Sequence, residues 1–123
     1  MYQLLLVDDE PLFRRKFSAL IPWEDYGFSL CACLSDGKEA MEYLKSHPVD
    51  VIFSDIKMTF VSGVELAEYV SRQYPHIKVV LNSGYSEFEY AQKAIAYGVF
   101  EYLLKPSKRS EVIACLKKLK QLL

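Results

Sequence analysis

Five short apolar runs punctuate the chain: Leu4-Leu5-Leu6-Val7, Leu30 to Leu34, Val51-Ile52-Phe53, Val79-Val80-Leu81 and Tyr102-Leu103-Leu104. Each is of strand length and apolar at consecutive positions, which predicts strands covered on both faces. The segments between and after them have helical periodicity, with marked starts. Ser62 with Glu65 and Ser86 with Glu89 fit a capping box, Asp36 with Glu39 nearly does, and Pro11 suits a first helical position. The last segment sets Val112, Cys115, Leu116, Leu119 and Leu123 on one face and turns Lys117, Lys118 and Lys120 largely away, as an amphipathic fifth helix does. Strict alternation of strand and helix predicts an α/β fold: a parallel sheet with helices on both faces, joined by right-handed crossovers.

The polar residues that follow the runs carry the chemistry. Asp8-Asp9-Glu10 comes after the first, Ser54-Asp55 after the third, Asn82-Ser83 after the fourth and Lys105 after the fifth. In an open parallel sheet the carboxyl ends of the strands share one edge, where ligands bind, so these distant residues are expected to converge. Three carboxylates and a lysine in one cleft conflict electrostatically unless a cation intervenes. Mg²⁺ suits Asp8, Asp9 and Asp55, because it takes a hard oxygen shell with few protein carboxylates and often a phosphate. Lys105 then partners a phosphoryl oxygen, and the Ser83 hydroxyl another. These are the parts of a phosphoryl transfer with Asp55 as nucleophile, which needs no general base because a carboxylate is already anionic at neutral pH.

Composition narrows the field. At 123 residues and 51% hydrophobic, the chain is expected to form one domain over residues 1–123. With 15 basic and 16 acidic side chains it has no field to hold a phosphate backbone, so no direct nucleic-acid binding is expected. The start lacks a signal-peptide pattern and no apolar run reaches membrane-spanning length, so a cytoplasmic location is expected. Cys31, Cys33 and Cys115 make no disulfide framework; they are expected to be small buried hydrophobes, the first two pointing the same way from one strand. His47 and His76 each adjoin a proline in a helix-to-strand connection and are expected at the opposite edge from the carboxylates. Trp23 with Tyr26 and Phe28 reads as a packed loop flanking the second strand.

Val7-Asp8-Asp9-Glu10-Pro11, Asp55-Ile56-Lys57-Met58 with Gly63, Ser83-Gly84-Tyr85, and Tyr102-Leu103-Leu104-Lys105-Pro106 together resemble the receiver domains of bacterial two-component response regulators. Pro22 to Phe28 and Ser83 to Ala91 further resemble receivers attached to AraC-type DNA-binding domains. The resemblance implies a doubly wound (βα)5 flavodoxin-like fold with strand order 2-1-3-4-5. It implies that Asp9 and Asp55 contact Mg²⁺ directly, that Asp8 reaches it mainly through water, and that the Lys57 backbone carbonyl completes the protein ligands. Asp55 would take its phosphoryl group from a sensor histidine kinase, and the chain would catalyse only its own phosphorylation and dephosphorylation. Ser83 would then move toward the acyl phosphate while Tyr102 turns inward, changing the face made by the fourth helix, fifth strand and fifth helix and so a downstream DNA-binding domain. The Lys105-Pro106 bond would be cis.

Phe88, Ala91, Ala94 and Ile95 are expected on the buried face of the fourth helix. Tyr90 and Tyr97, seven apart, are expected on its outer face as candidates for a homodimer surface. One departure concerns Thr59, where receivers usually carry proline, with bulky Phe60 next to it; without proline's fixed φ the loop is expected to be more mobile.

Blander readings exist for single residues. Alone, Asp8-Asp9-Glu10 is a common acidic helix start, Ser83 an ordinary turn residue and Lys105 a solvated loop lysine. It is their combination with Asp55 that favours chemistry. A phosphatase of haloacid dehalogenase type would need a second aspartate two residues after the nucleophile, where this chain has Lys57. A flavin site would want a hydroxyl- and glycine-rich loop where carboxylates stand. A degenerate receiver, acting as a phosphorylation-independent interaction module, is the alternative function.

Overall fold

The computed structural model describes residues 1–84 and 88–123, apart from the side chains of Phe88, Tyr90, Ala91 and Ala94. Five strands, β1 (Tyr2–Val7), β2 (Phe28–Leu34), β3 (Val51–Asp55), β4 (Lys78–Ser83) and β5 (Glu101–Leu104), form one parallel sheet in the order β2-β1-β3-β4-β5. They alternate with α1 (Pro11–Ser18), α2 (Gly37–Leu44), α3 (Gly63–Gln73), α4 (Phe88–Ile95) and α5 (Arg109–Leu122). Complete coverage on both faces holds for β1 beyond Gln3, for β3 and for most of β4, whereas the edge strands β2 and β5 are only partly covered.

Strand alternation divides the core in two. Leu4, Leu6, Val51, Phe53, Val80 and Leu103 pack against Phe17 of α1 and Val112, Cys115, Leu116 and Leu119 of α5. Leu5, Val7, Ile52, Val79 and Leu81 pack against Ala40 and Leu44 of α2 and Leu66, Ala67 and Val70 of α3. Trp23 is buried in a 3-10 turn, 5.4 Å from the Phe17 ring, and its indole N–H donates to the Ser18 carbonyl at 2.8 Å, which seals the path from α1 to β2.

The helix starts follow their sequence signals with one exception. Pro11 opens α1, and at α3 Ser62 and Glu65 bond each other's backbone N–H reciprocally, each at 3.1 Å. At α2, Asp36 caps the Lys38 N–H at 2.7 Å, but Glu39 reaches Ser35 and not the cap residue, so no closed box forms. The expected Ser86–Glu89 box lies outside the described residues.

Two core expectations need correction. β1 and β2 shift register between Leu4 and Leu5, with Cys31 as the extra residue, its thiol donating to the Leu4 carbonyl at 3.3 Å. The bulge reverses the alternation, so Cys31 packs toward α2 while Cys33 is exposed beside Pro11, Arg14, Arg15 and Ser18. Ile95 is also not a core residue; it is 74% exposed at the end of α4.

Candidate functional site

Four of the five strands deliver polar side chains to the carboxyl edge of the sheet. Asp8 follows β1 and is wholly buried; Asp55 ends β3 and is 7% exposed; Asp9 is exposed beside them. A buried carboxylate requires compensating donors. For Asp8, Oδ1 accepts from the Glu10 N–H at 2.9 Å and Oδ2 from Lys105 Nζ at 2.9 Å, while its carbonyl accepts from the Arg14 guanidinium at 2.5 Å, tying the first turn of α1 over it. Asp55 Oδ1 accepts from the Ile56 N–H at 2.8 Å and lies 3.3 Å from the same Lys105 ammonium.

Lys105 thus serves two carboxylates, and it stands 4.3 Å from the Phe13 ring centroid, where the π face offers a further favourable contact. Burial works against its charge, but bonding to Asp8 and the nearby Asp55 outweigh that, and its pKa is raised above the ordinary lysine value. One oxygen each from Asp8, Asp9 and Asp55 lie within 4.8 Å of one another. That is close to the roughly 4.2 Å across an octahedral Mg²⁺ shell, and the all-oxygen donor set suits that ion.

Two glycines hold the floor of the site. Gly63, the first residue of α3, donates to the Ile56 carbonyl at 2.7 Å, and a Cβ there would collide with the Asp55 carbonyl oxygen. Gly37, the first residue of α2, lies so close to the loop after β3 that a Cβ would come within 2.7 Å of the Val61 carbonyl oxygen. Asp36 exploits that proximity. Besides capping α2, it accepts from the Phe60 N–H at 2.9 Å and the Val61 N–H at 3.3 Å, so the loop carrying Thr59 is anchored by a carboxylate where proline is absent. The sequence marked Asp36 only as a cap; its unpaired near-match with Glu39 was the available signal. Phe13 and Arg14 left no such trace.

The remaining candidates fall as follows. Lys57, exposed, begins the loop two residues past Asp55. Ser83 ends β4, buried, its hydroxyl donating to the Gly84 carbonyl at 2.9 Å and its carbonyl accepting from the Lys105 N–H at 2.7 Å. Tyr102 requires correction: it already packs against the α2/α3 side of the core with its hydroxyl buried, so the inward turn expected of it has no outward starting position here. The Lys105-Pro106 bond is cis. Tyr97 requires correction: α4 ends at Ile95 and closes in a tight turn through Ala96 N–H to Lys93 O and Gly98 N–H to Ile95 O, so the seven-residue helical spacing does not extend to it. Tyr97 instead packs, half-buried, against the core; the Tyr90 side chain lies outside the described residues. His47 and His76 line one cleft at the opposite edge of the sheet, with His47 stacked on Tyr43 at 4.0 Å.

The model of the response regulator receiver domain matches residues 4–117. The chain belongs to the response regulator receiver family. The receiver is 37% identical over 119 residues, 97% of its length, to the uncharacterized transcriptional regulatory protein YesN of Bacillus subtilis, of which it covers 32%. It also resembles the solved receiver domain of AraT, a response regulator from Geobacillus stearothermophilus (37% identity, TM-score 0.89, covering 98% of this chain and 97% of that one). A two-component transcriptional regulator AraC from Clostridium phytofermentans is similar at 34% identity and TM-score 0.90, with 98% and 94% covered. The receiver spans between 32% and 46% of the length of several curated relatives it matches. Among the described residues no helix is long and apolar enough to cross a membrane.

Proposed function

We propose that this receiver accepts a phosphoryl group on Asp55 from the phosphohistidine of a sensor kinase, with Mg²⁺ held by Asp8, Asp9, Asp55 and the Lys57 carbonyl. One observation carries the reading: two nearly buried carboxylates, Asp8 and Asp55, share a single ammonium, with the exposed carboxylate of Asp9 beside them. An ion pair alone would not need a third carboxylate at that point; a metal and phosphate site would. Bound Mg²⁺ would neutralise charge on the phosphoryl oxygens.

In the transfer, an Asp55 carboxylate oxygen attacks phosphorus as the P–N bond breaks, and the departing imidazole takes its proton from solvent. Lys105 offers its ammonium to one phosphoryl oxygen. Ser83 reaches another by releasing the Gly84 carbonyl, and Tyr102 keeps the buried position on β5 as the neighbouring strand end moves. Water later removes the phosphoryl group, so the chain acts on no substrate but itself. The names of its relatives favour a transcriptional effector of AraC type in the full-length protein, switched through α4, β5 and α5, where Leu104 and Ile95 are exposed and a second copy could dock.

The test is intact-mass spectrometry after incubation with acetyl phosphate, with and without Mg²⁺, on the wild type and Asp55→Asn. A single Mg²⁺-dependent phosphoryl adduct lost in the variant is expected. No adduct under any condition would sink the proposal in favour of a phosphorylation-independent interaction module.

A further inference from the structure

One buried polar side chain has no role in the chemistry above. Asn82, on β4, is wholly inaccessible, and among the described residues neither its amide oxygen nor its amide nitrogen has a hydrogen-bond partner. An orphaned carboxamide is costly, and an aliphatic residue continuing Val79-Val80-Leu81 would avoid the cost. Its position is specific: parallel pairing sets Asn82 opposite Asp55 on one side and Leu103 on the other. Alternation places it on the α1/α5 side with Phe53, Val80 and Leu103, the parity shared by Asp8, Asp55 and Lys105 at the strand ends.

Lys105 has a conflict that this position resolves. Asp8 and Asp55, which hold its ammonium, are also the residues assigned to the metal. On that reading of the site, Lys105 must loosen both ion pairs when the metal binds, yet its side chain is only 22% exposed. A largely buried ammonium stripped of acceptors is unfavourable, and the Phe13 ring provides only a π face. We propose that Asn82 is the alternative station of Lys105: its amide oxygen accepts from the ammonium once the metal occupies Asp8 and Asp55, holding Lys105 beside the phosphoacceptor and ready for a phosphoryl oxygen. Asn82 is a positioning residue that acts through Lys105.

The experiment is a calorimetric Mg²⁺ titration of four proteins: wild type, Asn82→Leu, Lys105→Met and the double variant. Leucine keeps the branching at Cγ and removes both polar atoms. With Lys105 present, Asn82→Leu is expected to weaken Mg²⁺ binding about tenfold, equivalent to about 1.4 kcal/mol. With Met at 105 it is expected to change nothing, because no ammonium needs rehousing. Equal weakening in both backgrounds, or none in either, overturns the assignment. A metal-free readout is independent of loading: the thermal midpoint of Asn82→Leu should rise, since the orphaned amide is gone, and a fall would show the amide already satisfied at rest and count against the proposal. If Asn82→Leu does not fold, Asn82→Ala in the same two backgrounds gives the Mg²⁺ comparison. Wild-type protein that binds no Mg²⁺ overturns the metal reading and this inference together; wild-type binding with a null cycle overturns the Asn82 assignment alone.

Discussion

Removing the Asp36 carboxylate tests whether the loop beside the phosphoacceptor, which has Thr59 and no proline, is held by side-chain bonding. Asp36 is 5% exposed and accepts from three backbone N–H groups, of Lys38, Phe60 and Val61, at 2.7, 2.9 and 3.3 Å. Losing the cap of α2 costs about 1 kcal/mol. A bond to a charged acceptor is worth about 1.5–3 kcal/mol, but the Val61 bond is long and water can replace part of the loss beside exposed Phe60, so the two loop bonds together are worth about 2 kcal/mol. Asp36→Ala should therefore destabilise the protein by about 3 kcal/mol, and at a slope of about 2 kcal/mol per M the urea midpoint should fall by about 1.5 M. The single tryptophan, Trp23, 6% exposed and packed on Phe17, reports the transition by fluorescence.

Asp36→Asn separates the two duties. Its amide oxygen can still cap Lys38, but its NH₂ group then faces the Phe60 N–H, donor against donor, so a loss of about 1–2 kcal/mol is expected. In both variants the acetyl phosphate adduct should form more slowly than the stability loss explains, because the Lys57 to Val61 loop is no longer fixed. If Asp36→Asn matched the wild type in urea and in adduct formation, the anchoring argument would be wrong.

Gly63→Ala should cost about 2–3 kcal/mol in the same urea assay and depress adduct yield, because its Cβ would overlap the Asp55 carbonyl oxygen; a wild-type midpoint would show that α3 can shift freely. Lys105→Met strands a buried carboxylate at Asp8 and should cost about 3 kcal/mol without metal, with added Mg²⁺ recovering part of it. Because the Lys105 pKa is raised above its reference of 10.5, its contribution is complete below that value and lost as pH rises through the higher folded value. The urea-measured gap between wild type and Lys105→Met should stay flat from neutrality to about pH 10 and narrow above it; a gap that closed below pH 9 would contradict the ion pairing. Thr59→Pro should change the rate at which the isolated adduct decays more than the yield with which it forms; equal decay in the two proteins would refute this.

Much of this geometry was legible in the sequence because it depends on local pattern. β1, β3 and β4 read as continuous apolar runs because both faces are covered, and Pro11 and the Ser62–Glu65 pair mark helix starts by bonds within one turn. The convergence of Asp8, Asp55 and Lys105 followed from the parallel topology, since each stands just past a strand. What escaped depends on partners far along the chain or, at the end of α4, on a turn that no capping signal marks. The β2 bulge that exposes Cys33 is a register property of two strands, the end of α4 at Ile95 is set by a tight turn before Gly98, and Asp36 meets Phe60 and Val61 across 24 and 25 residues.

The same distinction explains the composition of the site. Two nearly buried carboxylates of like charge on adjacent strands need a cation, and at rest Lys105 provides it from the far strand of the sheet. Any metal that binds there must outcompete Lys105 as well as shed its own water, so the affinity of the site depends on how readily the lysine is accommodated elsewhere. Among the described residues the Phe13 ring faces the ammonium and, on our proposal, the unpartnered Asn82 carboxamide would receive it, so both would set that cost without being ligands in their own right. A receiver with the same aspartates and lysine but different residues at these two positions should therefore load Mg²⁺, and with it the phosphoryl group, over a different concentration range.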